Sequence, residues 1–368
     1  MIKEKKYDAV HYHQYLQLDH IVNAQQSRSK AVGAEAHDEM LFIITHQAYE
    51  LWFKQIIHEL ESVIDMFNQD IVDEKNIGIA VSRLQRSNEI LKLLVNQIAI
   101  LETMTPLDFL EFRNYLIPAS GFQSFQFRKI ETLLGLQHAA RHTYNGKSYT
   151  EPFNEEQIAE LQAIEKENSL IMLLEDWLER IPFIETSAFN FIEKYELAVE
   201  AMIRKEKEAI TAATYISPEQ KRIHLQMLDG ISEYFESVFN EEAHNESIEK
   251  GKLKLSYRAI ISALFINLYR DQPILQLPFK LLSTLIEIDE SLSNWRYRHA
   301  QMVRRMIGQK IGTGGSSGYD YLKKTSEKHH IFLDLQKITT LLIPRSELFE
   351  LPEALIRELG FYFSATKK

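Results

Sequence analysis

Long segments of this chain repeat apolar residues every three or four positions, and few helix-breaking residues interrupt them. Nine prolines and thirteen glycines are spread over 368 residues, mostly where helices would end. Recurrence at positions i, i+3, i+4 and i+7 places apolar side chains on one face of a helix, whereas a strand alternates every second residue. The sequence therefore predicts an all-α protein. No linker or internal repeat divides it, so residues 1–368 are expected to form a single large helical domain.

Helix bounds follow from the ends of the periodic segments and from capping residues. Asp38 is expected to cap the first long helix, and Gly308 and Asn145-Gly146 to end two others. The stretch 150–250, rich in Glu and Lys between thinner apolar stripes, is expected to be a more exposed helical elaboration. The predicted helices are 10–26, 38–68, 74–103, 106–116, 123–143, 154–180, 186–212, 218–240, 250–270, 275–309, with or without a break near Asp289, and 331–342.

The composition excludes several functional classes. The formal net charge of −10 has no concentrated basic face to offset it, which argues against nucleic acid or an anionic membrane as a partner. The absence of cysteine excludes disulfides, thiolate metal sites, iron–sulfur clusters and cysteine nucleophiles, so any metal must use His, Asp, Glu or Tyr. The N-terminus lacks an apolar signal core and no run approaches 18 apolar residues, so we expect a cytoplasmic protein without membrane spans.

Two histidines interrupt long apolar stripes near opposite ends of the chain. A histidine on such a helix face is expected to be buried, and a buried imidazole needs a hydrogen bond, an ion or a ligand. Spacing alone leaves two interpretations open: two satisfied core histidines, or one shared site. The first stripe is Phe42, His46, Tyr49, Phe53, Ile56 and Leu60, and the second is Ile288, Leu292, Trp295, His299, Met302 and Met306.

A glycine-rich loop, GTGGSSG at residues 312–318, follows the second stripe. It lacks the Walker lysine, and Ser317 stands where a dinucleotide fingerprint has its third glycine. Ser316 lies in a Gly-x-Ser-x-Gly pattern, but the nucleophile elbow of serine hydrolases requires a preceding strand, and here a helix precedes. Two interpretations remain: a loop that simply ends the helix, or one whose amides and Thr313 hydroxyl close over a ligand beside His299.

Two Glu-x-x-His pairs, Glu241/His244 and Glu327/His330, have the spacing of ligands in carboxylate-bridged di-iron bundles. Such ligands project into a bundle core. The surrounding residues here are polar on every side, so the sequence predicts solvated surface at both places and not a metal site.

Arg113 and Arg128 flank the segment PASGFQSFQ, in which Pro118, Ser120 and Gly121 interrupt the helical pattern. An arginine beside apolar residues often only packs its aliphatic stem against them and keeps its charged group in solvent. The functional interpretation is a bidentate clamp for a carboxylate at a mouth of the core, a geometry that arginine supplies and lysine does not. Spacing leaves both interpretations open.

The chain resembles the tryptophan 2,3-dioxygenase family in four blocks that follow the family's order: HDEMLFIITHQAYELWFKQIIHEL (37–60), SGFQSFQFR (120–128), WRYRHAQMVRRMIG (295–308) and GTGGSSGYDYL (312–322). YHQYLQLDHIVNAQ (12–25) also resembles the family's N-terminal helix. The resemblance is strong at both ends and over the first 140 residues, and the middle resembles the family only in helical character. It implies a haem-binding helical bundle, assembled as a homotetrameric dimer of dimers, that cleaves the pyrrole ring of L-tryptophan with O₂ to N-formylkynurenine using haem b.

The resemblance also implies roles for individual residues. His299 would be the axial ligand of the haem iron, His46 would orient the indole N–H, and Arg113 would pair with the substrate carboxylate. An unperturbed imidazole cannot readily remove an indole proton, so proton abstraction by His46 is not expected. The other implied contacts are Phe42, Ser120 and Gly121 at the substrate, with Ser120 and Gly121 also at the haem, Thr313 at the amino-acid end of the substrate, and Tyr12, Tyr15 and Leu16 donated by the 1–25 segment of a neighbouring subunit.

The residues agree with haem chemistry independently of the resemblance. An aromatic-rich helical core without cysteine can hold haem through one neutral histidine, which leaves the sixth iron position for O₂. Arg296, Arg298 and Arg304 surround His299, and some of them are expected to neutralise haem propionates. Phe109 stands where some family members have a tyrosine, which implies one fewer hydroxyl contact to the substrate carboxylate and a lower affinity for the same reaction.

Two other functions remain open at this point. A haem-dependent monooxygenase acting on a substituted indole would retain nearly every motif. A non-catalytic haem sensor would need His299 but would not need His46, Arg113 and Thr313 together, and their joint presence favours an enzyme.

Overall fold

The computed structural model describes residues 8–141, 148–186, 189–310, 312 and 318–360. Helices make up nearly all of its regular structure, which confirms the all-α prediction, and a two-residue antiparallel strand pair, β1 (Glu185–Thr186) and β2 (Phe189–Asn190), is the exception within that part of the chain. The helices are α1 (Tyr12–Tyr15), α2 (Leu18–Val22), α3 (Arg28–Ala31), α4 (Glu39–Phe67), α5 (Glu74–Leu101), α6 (Pro106–Arg113), α7 (Phe125–Leu134), α8 (Glu155–Lys166), α9 (Leu170–Glu179), α10 (Phe191–Ala212), α11 (Pro218–Phe239), α12 (Glu241–Glu249), α13 (Tyr257–Leu268), α14 (Gln276–Ile307), α15 (Gly318–Lys328), α16 (Leu333–Lys337) and α17 (Glu353–Leu359).

Three long helices, α4, α5 and α14, form the centre of the fold. Helix α14 packs along α5 and α15, and α4 packs along α5 and α7. The apolar stripes predicted from the sequence face this core, where Leu60, Leu84 and Leu285 are almost completely buried. Fully burying such a side chain stabilises the fold by about 1.5–3 kcal/mol. A smaller apolar cluster that includes Phe112 and Met306 lies where α6 meets the end of α14.

Several predicted helices end earlier than their periodicity suggests. In the segment 123–143 the α-helix ends at Leu134, because Gly135 adopts a positive φ of +115°, and a 3-10 turn follows at His138–Ala140. Gly135 packs so tightly that a side chain there would clash with Ile171. Residues 154–180 form two helices, α8 and α9, with a short connection between them. The predicted helix 10–26 is likewise interrupted, where Gln17 has a φ of +52°.

Other differences arise from tertiary contacts. Helix α14 continues through Asp289 without a break, since the buried Asp289 carboxylate accepts the backbone N–H groups of Ile331 (2.9 Å) and Phe332 (3.3 Å). Segment 250–270 becomes helical only at Tyr257, and helices α15 and α17 were not predicted. Gly308 ends α14 with a φ of +60°, as expected. Asp38 precedes α4 but makes no capping hydrogen bond with its side chain, and Asn145-Gly146 lie outside the described residues.

The two Glu-x-x-His segments are not solvated on every side, so that prediction was wrong. His244 is 1% exposed, and its Nε2 lies 2.9 Å from the carbonyl oxygen of Leu255. His329, next to the second pair, is also 1% exposed. His244 contacts Leu255 and Tyr257, which follow it in the chain, and His329 lies near Glu131 and Arg296, which are distant in sequence. The local composition does not reveal these contacts.

The region 150–250 combines buried and exposed helices. Helix α9 lies in the main core, whereas α11 exposes Ile223, Met227 and Ile231. Its description as a more exposed elaboration of a single domain stays a prediction. Among the described residues no single helix is long and apolar enough to span a membrane; the helices 74–101 and 106–116, bent by 91°, reach that length and composition only as a pair.

Candidate active site

A cavity of about 260 Å³ opens between α4, α6, α7, α14 and α15. Its wall is mainly apolar and aromatic, as is typical of sites for small molecules and cofactors. Trp295 packs 4.8 Å from Phe127, measured between ring centroids, so the aromatic rings of α14 and α7 meet on this wall. Apolar wall residues include Phe42, Phe53, Phe109, Phe127, Trp295 and Met306.

The fold brings most of the predicted site residues to this one cavity. The residues on its wall are Phe42, His46, Arg113, Ser120, Gly121 and His299. Thr313 lies outside the described residues, although Gly312 and Tyr321 on either side of it border the cavity. Tyr12, Tyr15 and Leu16 do not border it within this chain. They lie on or beside α1, where Tyr12 is 70% exposed and Tyr15 is 75% exposed.

His46 lies on α4 with its ring against Phe42, at a centroid distance of 4.1 Å. Its Nδ1 is 2.7 Å from the carbonyl oxygen of Phe42. Since a carbonyl oxygen only accepts, Nδ1 must carry the proton and donate it. The neutral ring therefore keeps an unprotonated Nε2, which is a hydrogen-bond acceptor.

Desolvation by the surrounding protein keeps His46 neutral. The side chain is exposed because it borders the cavity, so the expectation that it is buried in the core was wrong. The protein packed around the cavity nevertheless desolvates the ring and lowers the pKa of His46, although the Phe42 carbonyl and Glu50 act in the opposite direction.

His299 faces the cavity from α14 and is half-buried, with its ring 5.3 Å from that of Trp295. Burial, together with the nearby His46, lowers the pKa of His299 to about 4. The imidazole is therefore neutral at pH 7, which is the form that binds a metal. Its Nδ1 is buried and has no hydrogen-bond partner among the described residues. A buried polar atom of this kind calls for an explanation, such as a ligand that the ring serves.

Arg113 is half-buried at the end of α6 and borders the cavity together with Phe109, which lies one turn earlier. A capping box formed by Thr105 and Asp108, with Pro106 in the first turn, starts this short helix. Phe109 and Phe112 contact each other edge to face, with their ring centroids 5.3 Å apart. Phe112 is also completely buried in the small apolar cluster that includes Met306, which anchors the end of the helix that carries Arg113.

Glu50 was not singled out in the sequence, yet it ties the Ser120–Gln126 segment to α4. Its carboxylate accepts from the Ser124 hydroxyl and from Gln126 Nε2, at 2.7 and 2.8 Å. Ser124 in turn caps α7 through its side chain. The loop that carries Ser120 and Gly121 is therefore held one helical turn from His46. Only the tertiary structure reveals this link, because 74 residues separate Glu50 from Ser124.

A cluster of buried charges forms another part of the cavity wall. Glu131 is completely buried, and Arg128 and Arg296 each donate to it, at 2.9 and 2.8 Å. Burial by itself raises the pKa of a carboxyl group, but the neighbouring Arg128, His329 and the other arginines hold the pKa of Glu131 well below its usual range.

The three arginines expected near a haem occupy different positions. Arg296 borders the cavity, in agreement with the expectation. Arg298 instead pairs with Glu102 at 3.1 Å, and Arg304 lies over the ring of Tyr319 at 5.0 Å. Neither Arg298 nor Arg304 lies on the cavity wall.

Comparison with known proteins agrees with this site. The sequence model described as tryptophan 2,3-dioxygenase matches residues 3–342. A tryptophan 2,3-dioxygenase of Alteromonas mediterranea is 46% identical over 98% of this chain and 99% of its own length. Proteins of the same name from Bdellovibrio bacteriovorus and Dictyostelium discoideum are 47% and 48% identical, over 97% and 96% of this chain and 100% and 89% of their own lengths. The chain belongs to the tryptophan 2,3-dioxygenase family.

Proposed function

We propose that this protein is a haem-dependent dioxygenase that cleaves the pyrrole ring of L-tryptophan with O₂ to give N-formyl-L-kynurenine. One observation carries the proposal: two neutral imidazoles, one with a free acceptor nitrogen and one with an unpartnered buried nitrogen, border the same aromatic cavity as Arg113. Membership of the family supports the same reaction.

The residues of the cavity fit haem b. Haem iron needs only one protein ligand, and among the described residues no group of three or more His, Asp or Glu side chains could hold a bare metal ion. His299 supplies that ligand in its neutral form, and the guanidinium groups of Arg128 and Arg296 would hold the two haem carboxylates. When bound, the haem iron supplies the chemistry of O₂.

His46 would orient the indole ring. The unprotonated Nε2 accepts the indole N–H, because Nδ1 is committed to the Phe42 carbonyl. The lowered pKa of His46 makes the ring a weak base, so it positions the substrate by a hydrogen bond and leaves the indole proton in place.

Arg113 would bind the carboxylate of the amino acid. It lies on the same cavity wall as His46, and a charge-assisted hydrogen bond to a carboxylate contributes about 1.5–3 kcal/mol. The Phe42 and Phe109 rings pack 5.8 Å apart on the cavity wall and would exclude water from the indole. Ser120 and Gly121 would contact both haem and substrate, and Thr313 would contact the amino-acid end.

Spectroscopy and product mass test this proposal. The reduced protein, kept anaerobic, should show the visible spectrum of a ferrous haem bound to one histidine. Adding L-tryptophan and ¹⁸O₂ should then give a product that contains two labelled oxygen atoms. One labelled atom would indicate a monooxygenase, and binding of haem without any product would indicate a sensor.

We further propose that the protein is a homotetramer, a dimer of dimers, in which residues 1–25 of each chain dock on a neighbouring subunit. Helix α1 leaves Tyr12 70% and Tyr15 75% exposed, and a helix of four residues is not stable alone in water. The outer face of α4 also exposes Ile44, Leu51 and Trp52. Two exposed apolar surfaces of one chain favour association between copies.

In this arrangement Tyr12, Tyr15 and Leu16 would complete the neighbour's substrate pocket. Deleting residues 1–18 should leave haem bound while affinity for tryptophan and turnover collapse. Co-assembly of an inactive His46→Ala chain with an inactive deletion chain should restore part of the activity, because some pockets would combine an intact His46 with an intact donated segment. If mixed oligomers, verified by mass, recover no activity, the donation to a neighbour is wrong and the segment acts within its own subunit.

A further inference from the structure

Three buried arginines share a single buried carboxylate at one end of the cavity. Glu131 Oε2 accepts from Arg128 and Arg141, at 2.9 and 2.7 Å, and Oε1 accepts from Arg296 at 2.8 Å. The exposed fraction of the Arg296 residue is 2%, and that of Glu131 is 0%. His329 Nδ1 lies 3.7 Å from Oε1. A carboxylate so fully surrounded is fixed in position by its partners.

These partners come from separate parts of the chain. Arg128 and Glu131 lie on α7, Arg296 lies on α14 one turn before His299, and His329 follows the last turn of α15. Arg296 also donates to the carbonyl oxygen of His329, at 3.3 Å. The Arg296 side chain on α14 thus contacts two other elements: α7, through Glu131, and the end of α15, through the carbonyl oxygen of His329.

Two of the three arginines face the cavity and the third does not. Arg128 and Arg296 are on the cavity wall, and Tyr321, also on the wall, hydrogen-bonds Arg128. Arg141 instead donates to Thr132 at 2.8 Å and lies over the ring of Tyr149 at 4.1 Å. The chain therefore contains a matched control, an arginine that shares the carboxylate without reaching the site.

We propose that Glu131 is a positioning residue for the reaction: it holds the guanidinium groups of Arg128 and Arg296 toward the cavity and, through Arg296, fixes the turn of α14 that presents His299. The part that concerns His299 rests on the proposed haem function. The part that concerns α14 does not, since the ion pair joins two side chains of the protein itself.

The test compares Glu131→Gln with Arg141→Met in the full-length protein. Both changes disturb the same buried cluster, so both should lower the melting temperature. Only Glu131→Gln should speed the transfer of haem to apomyoglobin, by about 10-fold or more, as the loss of one charge-assisted hydrogen bond predicts. Only Glu131→Gln should also shift the iron–histidine stretching band of the ferrous protein.

A measurement on the haem-free protein separates this proposal from the proposed function. Hydrogen exchange of residues 292–303 should be faster in Glu131→Gln than in Arg141→Met at matched distance from their melting temperatures. If the unchanged protein binds no haem, the proposed function fails while this comparison still decides the role of Glu131.

Equal effects of the two variants on exchange, haem transfer and the stretching band would overturn the proposal and leave a purely structural cluster. If Glu131→Gln does not fold, Glu131→Asp replaces it. The shorter side chain keeps the charge but cannot reach all three arginines, so it should produce the same changes with smaller amplitude.

Discussion

Two parts of the cavity wall differ in how their buried polar groups are satisfied. His299 has a buried nitrogen without a protein partner among the described residues, whereas both carboxylate oxygens of Glu131 accept hydrogen bonds from arginines. A buried polar group that lacks a partner costs free energy, and at the wall of a cavity a bound ligand can supply that partner. Groups that the protein itself satisfies are already fixed before anything binds. We therefore infer that a ligand supplies the missing partner of His299, whereas the Glu131 cluster is a preformed part of the cavity wall that supports the site.

The largest expected effect is at His299. His299→Ala should reduce haem affinity by at least about 100-fold, which exceeds the effect of changing a group outside the coordination sphere. His244→Ala is the control, since His244 also has a buried Nδ1 without a partner among the described residues but does not border the cavity. Full haem content and an unchanged Soret band in His299→Ala would show that His299 does not bind the haem iron, and the contrast between the two parts of the wall would then not identify a ligand site.

Arg113 tests whether the same cavity also receives the substrate carboxylate. Arg113→Ala should raise the KM for L-tryptophan about 10- to 150-fold, as expected when a charge-assisted hydrogen bond worth about 1.5–3 kcal/mol is lost, while haem stays bound. Tryptamine, which lacks the carboxylate, should be a poor substrate of the unchanged enzyme. Equal turnover of tryptamine and tryptophan would contradict the clamp.

His46 predicts a particular pH dependence. Its pKa is lowered from the usual 6.5, mainly by desolvation, so the midpoint of any loss of activity in acid should lie below pH 6.5. Activity should decrease at lower pH, by about 10-fold, when protonation removes the Nε2 acceptor. In His46→Ala, steady-state kinetics should show lower turnover at every pH and no such decrease. A decrease centred at or above pH 6.5 would mean that the cavity does not desolvate this ring.

The smallest expected effect concerns Phe109. Phe109→Tyr should lower the KM for L-tryptophan about 2- to 10-fold by adding one hydroxyl contact near Arg113, with kcat little changed. The apolar character of the neighbouring Phe42 and Phe112 contacts would be kept. An unchanged or higher KM would show that the carboxylate does not lie on this side of Arg113.

The sequence by itself determined the helical class, the long helices α4 and α5, the place of α14 apart from its continuity at Asp289, and the family. These features depend on local properties of the sequence. Apolar periodicity indicates which face of a helix is buried, and the family blocks contain the site residues in the family's order. The apolar stripes and the family blocks are enough to single out His46, Arg113 and His299. The convergence of these three residues on one cavity agrees with the alternative of a shared site and not with two separate core histidines.

Only the tertiary structure decided the features that depend on distant partners. Gly135, which follows α7, lies so close to Ile171 that no side chain fits there, and the Asp289 carboxylate within the unbroken α14 accepts the backbone N–H groups of residues 331 and 332. The local hydrogen bond to the Phe42 carbonyl determines the tautomer of His46. The pKa of the ring is lowered by the protein that surrounds the cavity, and this keeps the ring neutral. The Glu131 cluster joins residues up to about 200 positions apart, from Arg128 to His329, and no local pattern in the sequence encodes such a contact.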